Sequence, residues 1–121
     1  DHAAALLLVL EQGQPGRQYN LGGENDVANI ELVRLICGHM DEIAPSGAPH
    51  NALITHVQDR PGHDRRYAID ATRVRQELGW TPSVSLRDGL KSTVDWYVAN
   101  SDWWEPLLER TGVGERIGTK L

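Results

Sequence analysis

Apolar and polar positions alternate along the chain with several distinct periods. Ala3 to Glu11 is apolar on nearly every side and rich in Ala and Leu, both strong helix formers. The pattern predicts a helix buried on several faces, more than a chain of this size covers by itself. Another layer is therefore expected against it. Gly13, Pro15 and Gly16 end the run. Ile30, Val33, Ile36, Cys37, Met40 and Ile43 recur at helical spacing behind Asn29. Asn29 is a natural N-cap, and Glu31 in the first turn suits the helix dipole. Pro45 to Pro49 breaks this second helix.

Three stretches read as extended. Gln18 to Leu21, closed by Gly22-Gly23, and Leu53 to Val57 alternate enough for short strands, and Tyr67 to Ile69 fits a further extended piece. Asp70 is placed to cap a short helix through Leu78, with Gly79 as its stop. Ser85-Leu86-Arg87-Asp88 resembles a capping box with Asp in place of Glu or Gln. Leu86, Leu90, Thr93, Val94 and Tyr97 then mark one helical face. Trp103, Trp104, Leu107 and Leu108 allow a last short helix before a loose end from Thr111. The expected fold class is α+β, a small helix-rich lobe with a few short strands.

Composition narrows the partners. The chain has 121 residues and a net charge of −5. Sequence-independent binding to nucleic acid rests on many Lys and Arg contacts, so nucleic acid is not the expected partner. A small ligand with one or two phosphates needs only an arginine or two. Cys37 is the only cysteine, which excludes an intrachain disulfide and reads as a small apolar residue. The run from Ala3 to Leu10 is too short to span a bilayer. No membrane partner is expected, and the location reads as cytoplasmic. The chain opens at Asp1 straight into helix, which reads as a fragment or a processed product.

Candidate chemistry concentrates in Asp59-Arg60-Pro61-Gly62-His63. Pro61 fixes its own φ, and Gly62 supplies the positive φ that follows proline in a type II turn. Arg60 and His63 then stand at the two corners. A guanidinium offers planar paired donors to a phosphate, and the imidazole adds a ring that can donate or stack. A plain solvated turn has the same composition.

Other signals carry less. Gly112 to Gly118 has the spacing of a dinucleotide glycine loop but follows a helical segment and is rejected. No Tyr-x-x-x-Lys pair, nucleophile elbow or His-Glu-x-x-His occurs. The five histidines show no metal spacing. His39 and His56 read as structural or surface residues, Asp41-Glu42 as a solvated acidic pair, and Trp103-Trp104 as core anchors.

Five pieces in order resemble one family. They are Tyr19-Asn20-Leu21-Gly22-Gly23, Asn29 opening its helix, Asp59 through Asp70, Glu77-Leu78-Gly79-Trp80-Thr81-Pro82, and Thr93-Val94-Asp95-Trp96-Tyr97. Together they resemble the carboxy-terminal third of dTDP-glucose 4,6-dehydratases, which are extended short-chain dehydrogenase/reductases. The Arg60 to Asp70 string is the narrowest of them. The resemblance implies a nucleotide-sugar-binding lobe over residues 1–104 and a tail over 105–121. It implies a parent enzyme whose amino-terminal Rossmann domain binds NAD and carries the catalytic groups. In that reaction the sugar is oxidised at C4, water leaves across C5 and C6, and hydride returns to C6. It implies dTDP-glucose or a related nucleotide sugar as ligand, and a homodimeric parent. Asn29, Asp59, Arg60, Pro61, Gly62 and His63 become substrate-binding residues, with Arg60 on the diphosphate and His63 at the nucleoside end. No catalytic, cofactor-binding or metal-binding residue is implied within this chain. A related epimerase or GDP-sugar dehydratase, or a free-standing nucleotide-binding module, are the alternatives.

Overall fold

The computed structural model describes residues 1–23 and 25–111. Its elements in chain order are α1 (His2–Gln12), α2 (Asn29–Ile43), two short 3-10 helices (Pro45–Gly47 and His50–Leu53), α3 (Thr72–Leu78), α4 (Leu86–Ala99) and α5 (Ser101–Thr111). The chain divides into two compact units. One combines Asp1–Val27 with Arg66–Leu86, and the other combines Ala28–Arg65 with the chain from Arg87 onward.

In the first unit α1 packs on α3. Ala5 and Val74 are completely buried, and Ala71 nearly so. Polar ties hold the connecting segments to this pair. The Tyr19 hydroxyl donates to Glu77 Oε2 at 2.9 Å and accepts from the Gln14 backbone N–H at 3.2 Å. Arg73 donates to the Gln18 carbonyl at 2.9 Å. The Asp1 carboxylate accepts the backbone N–H of Val84 at 2.9 Å and the Ser83 hydroxyl at 2.6 Å. Ala71, not Asp70 as the sequence pattern predicts, takes the cap position of α3, while Asp70, one residue earlier, accepts the first N–H of the helix, from Thr72, at 2.8 Å. Gly79 ends α3 at φ 67°, a left-handed conformation that a side chain disfavours.

In the second unit α2 packs against both 3-10 helices. The Asp41 carboxylate holds that junction. Its Oδ1 accepts the His50 backbone N–H at 2.8 Å and lies 2.5 Å from His50 Nδ1. Both hydrogen bonds favour the ionised form and lower the pKa of Asp41 from its usual 3.8. α4 and α5 meet through aromatic rings. Trp96 lies edge-on to Tyr97 and Trp103, with centroids 5.1 and 5.4 Å apart, and Trp104 Nε1–H donates to the Tyr97 carbonyl at 2.8 Å.

Several expectations change. The fold is helical, not α+β: the described residues contain no strand. Gln18 to Leu21, Ile54 to Val57 and Tyr67 to Ile69 are non-helical connections without a ladder, while Leu53 closes a 3-10 helix. A strand exists only with a partner for its backbone groups, and alternation along one segment cannot supply that partner. Asn29 is the first residue of α2, not its cap. Ala28 takes the cap position in extended conformation, and no side chain caps the helix. His39, read as structural or surface, takes the first of these: it is buried at 4% exposure, and neither ring nitrogen has a hydrogen-bond partner among the described residues. Cys37 is half-buried. Trp103 is 63% exposed, so it joins helices at their surface and does not anchor a core. The Gly112 to Gly118 pattern and the expected loose end beyond Thr111 lie outside the described residues, and α5 runs across residue 104.

Candidate functional site

The turn forms as its local chemistry dictates. Gly62 has φ 72°, and the His63 N–H donates to the Arg60 carbonyl at 3.4 Å, closing the four-residue turn. The turn is anchored from inside by Asp59. Its Oδ1 accepts the Arg60 backbone N–H at 2.8 Å and lies 2.7 Å from His63 Nδ1. The His63 hydrogen bond, then that from Arg60, lowers the Asp59 pKa from 3.8. The carboxylate is therefore ionised at neutral pH and can only accept, so Nδ1 of the ring carries the donated proton.

One carboxylate thus turns inward on its own turn and leaves the Arg60 guanidinium free. No side-chain hydrogen bond or ion pair occupies that guanidinium among the described residues. Arg60, Pro61 and Gly62 are exposed, and the His63 side chain keeps about a third of its surface open (33%). An exposed, unpaired guanidinium beside an oriented imidazole can bind an anion and a neighbouring polar group. Asn29 belongs to the same unit, exposed at the start of α2 with its amide unused as a cap.

Sequence reasoning missed two pairings. Asp41 was expected to be solvated, yet it holds His50. Arg66 pairs with Asp26 across forty positions. Nothing local marks either pair, because the partners meet only after intervening turns have formed. Two open depressions occur in the first unit. One of about 520 Å³ is lined by His2, Leu6, Tyr19, Asn20, Ile69 and Asp70, and the other of about 340 Å³ includes Asp26, Arg66 and Tyr67. Neither includes Arg60 or His63.

The chain's fit to NAD is poor. It lacks a Tyr-x-x-x-Lys pair, since Tyr19, Tyr67 and Tyr97 are followed four places on by Gly23, Ala71 and Ser101. The described residues also hold no strand from which a glycine-rich turn could enter a helix. They hold no group of three or more His, Cys, Asp or Glu arranged for a metal ion. No described helix is long and apolar enough to cross a membrane.

The family model described as GDP-mannose 4,6 dehydratase matches residues 1–93. The chain belongs to that family. Its relatives bear out the narrower resemblance to dTDP-glucose 4,6-dehydratases. A probable dTDP-glucose 4,6-dehydratase of Sinorhizobium fredii is 48% identical over 118 residues, covering 98% of this chain and 34% of the relative. The dTDP-glucose 4,6-dehydratase of Neisseria meningitidis is 48% identical over 123 residues, covering 98% and 35%. The chain therefore spans about a third of the length of the curated relatives it matches. Among solved structures, the dTDP-glucose 4,6-dehydratase of Streptomyces venezuelae with NAD and TYD bound is similar at TM-score 0.77 and 38% identity, covering 88% of this chain and 31% of that one. The enzyme of Bacillus anthracis in complex with NAD is similar at TM-score 0.73 and 39% identity, covering 88% and 31%.

Proposed function

We propose that this chain is the carboxy-terminal, nucleotide-sugar-binding part of an NAD-dependent dTDP-glucose 4,6-dehydratase. The observation that carries the reading is the 48% identity to dTDP-glucose 4,6-dehydratases along 98% of the chain. The parent converts dTDP-glucose to dTDP-4-keto-6-deoxyglucose, with NAD and the catalytic groups supplied by an amino-terminal Rossmann domain. The parent is proposed to work as a homodimer. No catalytic, NAD-binding or metal-binding role is assigned to this chain.

Within it, Asn29 and Asp59 to His63 form the substrate-binding set. The free guanidinium of Arg60 takes the diphosphate, where paired N–H donors match phosphate oxygens. The His63 ring stands at the nucleoside end. Pro61 and Gly62 shape the turn that presents both, and Asp59 ties it together. Asn29 adds an amide near the diphosphate, since α2 makes no use of that amide as a cap.

The family model's own description favours a second reading, a GDP-sugar dehydratase. The two differ in the base that is read. The deciding assay supplies the full-length protein and NAD with dTDP-glucose or with GDP-mannose. The proposal expects a 4-keto-6-deoxy product from dTDP-glucose alone. Turnover restricted to GDP-mannose establishes the second reading, and turnover of neither overturns both.

A further inference from the structure

This inference rests on the proposed binding role of the Arg60–His63 turn and concerns what each side chain recognises. The Asp59 carboxylate meets His63 Nδ1 at 2.7 Å and the Arg60 backbone N–H at 2.8 Å. Both contacts go to Oδ1, and both stabilise the ionised carboxylate. An ionised carboxylate accepts and never donates, so the proton between Asp59 and His63 sits on Nδ1. In the neutral ring the other nitrogen, Nε2, then keeps a bare lone pair.

That lone pair has consequences for a nucleotide. It repels a phosphate oxygen and accepts from an N–H or O–H. The guanidinium of Arg60 is its complement, since it only donates. The two side chains on one turn therefore present opposite hydrogen-bonding character, a donor fork and an acceptor. A sugar hydroxyl both donates and accepts, so it binds either tautomer of a histidine. The imide N–H of a pyrimidine base only donates, so reading it requires an acceptor held in place. A ring fixed by a carboxylate is such an acceptor, and a free ring is not.

We propose that Asp59 is a positioning residue: it holds His63 as the Nδ1–H tautomer, so that Nε2 accepts the imide N–H of a pyrimidine base while Arg60 takes the diphosphate. Asp59 acts here through its Oδ1, which holds both the Arg60 backbone N–H and the His63 ring. The arrangement turns one histidine into a reader of base identity.

Long-range 1H–15N spectra of the His63 ring in the full chain test the tautomer directly. Wild type and Asp59→Asn, which retains an acceptor oxygen, are expected to show a protonated Nδ1 and a bare Nε2. Asp59→Ala is expected to move the proton to Nε2. Binding of dTDP and of its N3-methyl derivative, which lacks the imide N–H, supplies the second readout. Methylation should weaken binding about tenfold in wild type and Asp59→Asn, the scale of one hydrogen bond, and should make little difference in Asp59→Ala. Should Asp59→Ala fail to fold, the wild-type ring spectrum and methylation penalty decide alone. An Nε2–H ring in dTDP-bound wild type overturns the positioning role, as does a methylation penalty that survives in Asp59→Ala. Failure of wild type to bind dTDP overturns the binding role of the turn, and this proposal with it.

Discussion

Arg60 differs from the chain's ion-paired arginines in having no carboxylate to satisfy it. Arg34 pairs with Glu31, Arg66 with Asp26 and Arg73 approaches Glu77, whereas the Asp59 carboxylate bonds His63 and the Arg60 backbone N–H and makes no ion pair with the Arg60 guanidinium. A free planar guanidinium is suited to a phosphate, and a lysine is a poor substitute because it gives one point charge in place of a fork. Arg60→Lys in the full-length protein is expected to raise the KM for dTDP-glucose about tenfold, the loss of one of two paired hydrogen bonds. Steady-state kinetics with KM and kcat unchanged would sink that assignment. Three aspartates, Asp41, Asp59 and Asp70, have lowered pKa values from hydrogen bonds made in the fold. A carboxyl whose folded pKa lies below its unfolded value stabilises the fold above the unfolded value, and that contribution is lost as pH falls through the folded one. These three contributions are thus expected to be intact above about pH 4 and to be lost below it. Asp41→Asn cannot ionise, so denaturation curves for it should fall less steeply in that acid range. Equal slopes for variant and wild type would remove Asp41 from this account.

At the scale of elements, α3 is the clearest product of its own sequence. Asp70 serves its first N–H and Gly79 stops it in the left-handed region, with open space where a Cβ would stand. Gly79→Ala therefore meets no steric contact and costs only backbone strain, about 1 kcal/mol. Chemical denaturation that shows no loss would contradict this origin of the stop. The same local signals made α1, α2 and α4 legible, because helical periodicity and stops are properties of neighbouring residues. The Arg60–His63 turn was legible for the same reason, as Pro61 and Gly62 decide it between them. Strands were not legible: Gln18 to Leu21 and Tyr67 to Ile69 have the alternation but no ladder among the described residues. At the start of α2, Asn29 has the side chain of a cap, yet the cap position falls on Ala28 one residue earlier. The Asp41–His50 tie and the burial of His39 depend on how separate segments meet, which no local pattern encodes.

At the scale of the whole molecule, much apolar surface lacks a covering partner. On α1, where the sequence predicts burial on several faces, only Ala5 is buried, Leu6 and Leu7 are each 54% exposed and Leu10 is 82% exposed. A chain matching a third of its relatives' length, with no residue assigned to catalysis, is expected to show no turnover of dTDP-glucose when supplied with NAD. Product formation by the purified chain alone would refute that. The central claim is that these residues grip the nucleotide, and its most direct test is amide NMR of the labelled chain titrated with dTDP and, separately, with GDP. Shifts are expected to centre on Asn29 and on Arg60, Gly62 and His63, and to be larger with dTDP. Shifts confined to other residues, or a dispersed spectrum that dTDP leaves unchanged, would contradict it.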